Sequence, residues 1–205
     1  MTIHEPTTLI TDLLLAGFAG FLAWRLHRGA ASRDLAARWW VRVFAVTALS
    51  AFLGGTYHGF APNFAPALQT LWWTATLVAV LVVSAMMALS LLHTAVPPDR
   101  QRGWHGLIVG KFVAFTFVAI WHPEFTVVVL DYGLVLLAWT VAALWWRRAW
   151  SRWMLAALAL SVVAAGVQQT RVAPAAAFNH NDLYHVLQLL ALFAFYRAAQ
   201  RLGAK

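Results

Sequence analysis

The chain alternates between long apolar runs and short polar connections. Seven runs of about 20 residues are long enough to cross a membrane as helices. They cover residues 8–26, 39–60, 67–92, 105–121, 125–146, 153–171 and 182–200. All seven prolines lie between or outside these runs, as expected because proline disfavours helix interiors. The pattern predicts an all-α fold, with residues 1–205 forming a single domain, a bundle of seven transmembrane helices.

The fourth and fifth runs are separated only by residues 122–124, whose sequence is His-Pro-Glu. A proline and a carboxylate within some 40 apolar residues favour a tight hairpin over one long helix. Two charged positions lie inside these runs. We expect Lys111 to extend towards the membrane surface, although a buried ion pair is the alternative. We expect Asp131 to take part in an interhelical hydrogen bond.

The composition restricts the chemistry that the chain can perform. Hydrophobic residues make up 62% of it and charged residues only 11%, which favours the bilayer as the solvent. There is no cysteine, which excludes disulfides, thiolate nucleophiles and cysteine-ligated zinc. Any metal site must therefore use His, Asp or Glu.

The basic residues indicate the orientation. Most of the 15 Lys and Arg residues fall on one side of the predicted bundle, namely Arg25, Arg28, Arg33, Arg38, Arg42, Arg100, Arg102, Arg147, Arg148, Arg152, Arg197, Arg201 and Lys205. By the positive-inside rule, the N-terminus is outside and the C-terminus cytoplasmic.

Short basic groups between apolar runs are typical of membrane topology and not of a nucleic-acid-binding surface. The N-terminus lacks a basic n-region, so we expect the first run to be retained. Heavy Ala and Arg usage with short loops favours a bacterial inner membrane.

The candidate site lies in the outer half of the bundle. Polar residues crowd residues 178–188, at the start of the seventh run, and polar groups in lipid are costly unless they are paired or bound. The first and second runs each bring one potential ligand, Asp12 and His58, to the same depth. With His185 they form the expected metal set, since zinc commonly takes three protein ligands from His and carboxylate. His180 is a fourth ligand or a proton-transfer group if the seventh helix begins after it.

Helix geometry selects the supporting residues. Asp182 and Asn181 share a helical face with His185, whereas His180 lies about 140° away from it on a regular helix. We expect Asn181, Asp182, Tyr184 and Gln188 to orient the ligands. Asp12 or Asp182 is the expected acceptor of the proton from the attacking water.

These residues resemble the CREST superfamily of seven-span membrane hydrolases, which includes the alkaline ceramidases and, in the opposite orientation, the adiponectin receptors. Members of that family hold zinc with one His near the end of span two and two His in an H-x-x-x-H pattern at the start of span seven. A Ser one turn before the first His and an Asp on span three assist the water. His58 matches the first ligand and His185 the last, whereas Asn181 replaces the middle one. Gly54 stands in place of the Ser, and span three has no acidic residue.

The expected function is a zinc-dependent membrane hydrolase that cleaves an amide or ester bond of a lipid. Its site faces the non-cytoplasmic side, and its substrate enters laterally between helices. The sequence leaves two other functions open. A proton-coupled transporter would use Asp12, His58 and His185 as a relay, and a haem protein would take axial histidines from spans two and seven. The oligomeric state is left open as well.

Overall fold

A computed structural model describes residues 2–29, 31, 34–175 and 178–203 of the chain. These ranges contain seven α-helices and no β-strand, apart from an isolated bridge between Ala175 and Phe178. The all-α prediction is therefore confirmed. The helices are α1 (Pro6–Arg28), α2 (Leu35–Phe60), α3 (Pro66–Ala95), α4 (Gln101–Trp121), α5 (Phe125–Trp146), α6 (Ser151–Thr170) and α7 (His180–Ala199).

The helix ends follow local chemistry. Pro6 and Pro66 open α1 and α3, where the missing N–H would have no helical partner in any case. The Asp34 carboxylate caps α2 by accepting the backbone N–H of Ala37 at 3.0 Å. The predicted hairpin is confirmed, because residues 122–124 separate α4 from α5. The indole N–H of Trp73 donates to the carbonyl of Pro123 at 2.8 Å, which fixes this hairpin to α3.

Six helices, α1 to α6, are long and apolar enough to cross a membrane. The helix α7 has 20 residues but is not one of these six. Its first half carries the polar residues predicted to form the site, which lowers its mean hydropathy. Two of the residues used to infer the orientation, Arg33 and Lys205, lie outside the described residues.

The helices α1, α2 and α7 pack against one another in the bundle. The helix α1 packs against both α2 and α7, and α7 also packs against α6. Buried aromatic side chains fill the core between α2, α5 and α7, where Trp40 lies 5.0 Å from Phe195 and 6.1 Å from Trp139 between ring centroids. The site is built at one end of this core.

The helix α4 lies at the edge of the bundle. Among its residues, all of which the structure describes, only Ala119 is buried. The ammonium group of Lys111 donates to a carboxylate oxygen of Asp131 on α5 and to the hydroxyl of Ser84 on α3 at 3.2 Å. The expected extension of Lys111 towards the surface is wrong, because the buried Asp131 carboxylate offers it a partner inside the bundle.

Candidate functional site

The first turns of α1 present a polar face to the bundle. Thr8, Thr11 and Asp12 are all buried, and their i, i+3, i+4 spacing places them on one side of the helix. On insertion scales, a carboxylate near the centre of a bilayer costs about 2.5–3.5 kcal/mol. That cost is large enough that the neighbours of Asp12 must supply hydrogen bonds or a cation.

The start of α7 is held by a capping box. The side-chain oxygen of Asn179 accepts the backbone N–H groups of Asn181 at 2.7 Å and of Asp182 at 3.3 Å. In return, one oxygen of Asp182 accepts the backbone N–H of Asn179 at 2.7 Å. These reciprocal bonds satisfy free N–H groups of the first turn. The Asp182 carboxylate that we considered as a catalytic base is therefore also part of the helix cap.

This cap decides where the helix begins. It makes His180 the first residue of α7, so the condition under which His180 would join the ligands from a loop is not met. On a regular helix the side chains of His180 and His185 diverge by about 140°. Within the described part of the chain, His180 makes no side-chain hydrogen bond. The helix start therefore directs His180 away from His185, and the role of His180 as a fourth ligand stays a prediction.

Asp12 and His185 meet directly between α1 and α7. The Nε2 atom of His185 lies 3.2 Å from Oδ1 of Asp12, and both side chains are buried. On the other side of the imidazole ring, Nδ1 lies 2.9 Å from the hydroxyl oxygen of Thr11. Neighbouring groups thus engage both ring nitrogens of His185.

The Thr11 hydroxyl has a single proton and three possible acceptors for it, namely the Thr8 carbonyl, Oδ1 of Asp182 at 3.5 Å and Nδ1 of His185. It can donate to the Thr8 carbonyl at 3.0 Å and accept from Nδ1–H of His185. The Nε2 lone pair then faces a carboxyl oxygen, and either a proton on Asp12 or a bound cation relieves their repulsion. Alternatively it donates to Nδ1, and Nε2–H donates to Asp12. The same geometry therefore suits either a shared proton or a bound metal ion.

A second carboxylate–imidazole pair lies nearby. The Nδ1 atom of His58 is 3.4 Å from Oε2 of Glu5, and the side-chain amide of Asn181 donates to the same oxygen at 3.5 Å. Gln168 of α6 donates to Asn181 at 2.9 Å. Sequence reasoning missed Glu5 as a site residue because it precedes the first apolar run. The sequence does contain a signal for Glu5, because it lies beside Pro6 at the same predicted end of the bundle as Asp12.

Glycines of α2 make room for Asp12. A Cβ atom added at Gly55 would lie 2.7 Å from the Cβ of Asp12, closer than two such atoms can approach. A Cβ at Gly54 would lie 3.8 Å from both carboxylate oxygens, an ordinary contact distance. The absence of a side chain at position 55 allows α1 and α2 to approach closely, as expected for small residues between membrane helices.

These groups border a cavity of about 390 Å³, a size within the usual range for ligand sites. The ionisable and amide groups of its lining lie towards one end, whereas hydroxyl groups such as those of Ser50 and Ser161 lie deeper. The former are Asp12, His58, Gln168, Asn181, Tyr184, His185 and Gln188. The rest of its lining is mainly apolar, and Trp40 and Phe195 reach it from the core. Such a cavity matches a molecule with a polar head and an apolar body.

The structure brings together only part of the predicted metal set. Among the described residues, no three His, Asp or Glu side chains have metal-binding geometry. Asp12 and His185 are in contact, and His58 borders the same cavity but pairs with Glu5. One observation fits a cation at this place: Oδ2 of Asp12 is buried without a hydrogen-bond donor in the described chain.

A family model described as a family of unknown function (DUF6962) matches residues 7–204. The chain belongs to this family. The match extends over all seven helices, so the bundle and the cavity both lie within the family's domain. No curated protein and no solved structure matches the chain.

Proposed function

We propose that this member of the DUF6962 family spans a membrane seven times, with its N-terminus outside and its C-terminus in the cytoplasm of a bacterial cell. Six apolar helices support this topology. The 20 residues of α7 make a helix of about 30 Å, the thickness of a bilayer core. Asn181, Asp182 and His185 are buried, so these polar residues of α7 face the bundle and not the lipid.

The proposed activity is the hydrolysis of an amide or ester bond in a membrane lipid. The observation that carries it is the contact between Asp12 and His185 at the polar end of a largely apolar cavity. An acyl chain would occupy the apolar part and bring its carbonyl group to the polar end. Carboxylate and imidazole groups at that point are the side chains that hydrolytic chemistry requires.

Two side-chain atoms fit as ligands of one divalent metal ion such as zinc, namely an Oδ atom of Asp12 and Nε2 of His185. The fit rests on the buried Asp12 oxygen that lacks a donor, and on the Thr11 hydroxyl at Nδ1 of His185. Metal-binding histidines characteristically have such a partner at their other nitrogen. We propose His58 as the third ligand, which requires its imidazole to turn from Glu5 into the cavity. A bound zinc ion would lower the pKa of its water and polarise the carbonyl oxygen.

The protein groups then have separate tasks. Thr11 holds the imidazole ring of His185 in place. The carboxylate oxygen of Asp12 that does not hold the cation accepts a proton from the attacking water, whose oxygen bonds to the acyl carbon. The bond to the leaving oxygen or nitrogen breaks, and the leaving atom takes up the proton. Asn181 lines the polar end of the cavity and donates to Glu5 at 3.5 Å.

The cavity lining between α5 and α6 supports entry of a lipid from the side of the bundle. Val129 and Gly133 of α5 and Val162 and Ala165 of α6 border the cavity. Val162 is 62% exposed, so the cavity reaches the outer surface of the bundle at this point. A Cβ atom at Gly133 would meet nothing within 4 Å. A lipid can therefore approach the cavity from the bilayer.

The test is a turnover assay on the purified protein in mixed lipid micelles, with released fatty acid measured by mass spectrometry. We expect release by the wild type and at least a hundredfold less release by Asp12→Asn and His185→Ala. His122→Ala is the control, because His122 is exposed in the α4–α5 hairpin. Equal release by wild type and both site variants would rule out the hydrolase.

A proton-coupled transporter is the second candidate. It is favoured by the direct contact of Asp12 with His185, since a hydrogen-bonded Asp–His pair can pass a proton without a metal. This function predicts solute flux in liposomes driven by a pH gradient, with no lipid turnover. Flux that is abolished by Asp12→Asn in a protein without hydrolase activity would select the transporter.

A further inference from the structure

Three arginines converge on one tryptophan at the opposite end of the bundle from Asp12. Trp153 lies in the first turn of α6, and its ring is approached by Arg152 of the same helix and by Arg197 and Arg201 from the end of α7. The guanidinium carbons lie 5.8, 5.3 and 5.6 Å from the ring centroid, respectively. Each of these distances is within the range of a cation–π contact.

No carboxylate of the described chain neutralises this cluster. The sequence has seven acidic residues. Four form ion pairs elsewhere, namely Glu5, Asp12, Asp99 and Asp131. Asp34 and Asp182 cap α2 and α7, and Glu124 lies in the hairpin at the other end of the bundle. Three like charges around one ring repel each other, so an external anion at this place would be stabilised.

The cluster also contains unused hydrogen-bond donors. The Nε atom of Arg197 and the indole Nε1 of Trp153 are buried without an acceptor in the described chain. One Nη of Arg201 donates to the carbonyl of Arg197 at 2.7 Å, which leaves its other donors available. Guanidinium groups bind the oxygens of phosphate in pairs. A phosphate group therefore supplies the negative charge that this cluster lacks, and acceptors for the accessible guanidinium donors of Arg152 and Arg201.

The surroundings favour a lipid as the source of that phosphate. Phe193 lies one turn before Arg197 on α7, and its ring packs edge-on against Trp153 with 6.3 Å between centroids. Phe193 is 45% exposed, so an apolar surface continues from the cluster along the outside of the bundle. An acyl chain can follow this surface while its phosphate rests against the arginines.

We propose that Trp153, Arg152, Arg197 and Arg201 form a binding site for the phosphate of an anionic phospholipid. The site is separate from the cavity beside Asp12 and does not depend on the proposed hydrolase activity. It holds one lipid headgroup where α6 begins and α7 ends, and it thereby links these two helices.

The test uses detergent-purified protein titrated with phosphatidylglycerol, and binding is read by native mass spectrometry and by the melting temperature. We expect Arg197→Gln/Arg201→Gln to bind phosphatidylglycerol at least tenfold more weakly than the wild type. The matched control is Arg28→Gln/Arg42→Gln, which removes two charges that each lie over a single indole, at 5.0 and 4.3 Å. The control should retain wild-type affinity.

Two further arms complete the experiment. Phosphatidylcholine should bind more weakly than phosphatidylglycerol, and Arg197→Lys/Arg201→Lys should bind with intermediate affinity because lysine keeps the charge but loses the paired donors. Helical circular dichroism of all variants confirms folding. If Arg197→Gln/Arg201→Gln and its control lose equal affinity for phosphatidylglycerol, the proposed site is wrong. Inorganic phosphate that binds as tightly as phosphatidylglycerol would overturn the assignment to a lipid.

Discussion

His185 and Asp12 are in direct contact across the interface of α1 and α7, with 3.2 Å between Nε2 and Oδ1. The two residues are far apart in the sequence, and each comes from a helix with an otherwise largely apolar composition. Both are buried, so neither relies on bulk water for its hydrogen bonds. The position of the imidazole ring depends on Thr11, which binds its other nitrogen at 2.9 Å.

Replacing Thr11 by valine keeps the shape of the side chain and removes the hydroxyl group. We expect lipid turnover by Thr11→Val to fall by about 10- to 100-fold, the usual cost of losing a group that orients a metal ligand. Thr56→Val is the control, because within the described residues the Thr56 hydroxyl bonds only to the carbonyl of Phe52 in its own helix, at 2.8 Å. If the two variants have equal activity, Thr11 does not position His185.

The close approach of α1 and α2 gives a second prediction. Alanine at position 55 places a methyl group against Asp12, whereas alanine at position 54 makes only ordinary contacts. We expect Gly55→Ala to destabilise the bundle by about 1–3 kcal/mol through overpacking and Gly54→Ala to change its stability little. Reversible unfolding in mixed micelles measures the free energy of unfolding of both variants. Equal stability of the two variants would contradict the packing of Asp12 against α2.

Lateral access between α5 and α6 can be tested at Gly133. A leucine there meets no neighbouring atoms at its Cβ but narrows the opening next to Val162. We expect Gly133→Leu to raise KM for a two-chain lipid at least tenfold, and to change KM for a short-chain soluble ester much less. Gly106→Leu is the control, since Gly106 of α4 is equally open and does not border the cavity. An unchanged KM for the lipid would place the opening elsewhere.

The ion pair of Lys111 with Asp131 connects α4 to the rest of the bundle. Removing one partner leaves a buried charge without compensation, which costs about 3–5 kcal/mol. We expect Lys111→Met to lower the free energy of unfolding by this amount, and Lys111→Met/Asp131→Leu to recover most of it. The measurement is the free energy of unfolding in detergent for the wild type, Lys111→Met and the double variant. A double variant no more stable than Lys111→Met would contradict this account of the pair.

Most of the helical architecture could be predicted from the sequence, because apolar run length and proline position are local signals. The 122–124 hairpin is the clearest example. The depth of a residue in the bundle follows from its place in a run, which is why Asp12 and His185 could be expected at the same end. Their contact could not be predicted, because the rotation of each helix about its axis is set by packing, as between Gly55 and Asp12.

Other features of the site depend on chemistry that the pattern of apolar runs does not contain. The beginning of α7 is fixed by the side chains of Asn179 and Asp182, and this single cap decides the position of His180. Glu5 lies outside the apolar runs, so the pattern of these runs does not indicate it as a partner of His58. The pairing of Lys111 with Asp131 had a usable signal, since both lie about two to three helical turns from the same hairpin.

The metal content of the purified protein tests the central claim most directly. Elemental analysis should find about one zinc ion per chain in the wild type. It should find the same amount in the control His122→Ala and little in Asp12→Asn, His58→Ala and His185→Ala. A wild type without stoichiometric metal, or site variants that retain it in full, would contradict the proposal that α1, α2 and α7 together hold a metal ion.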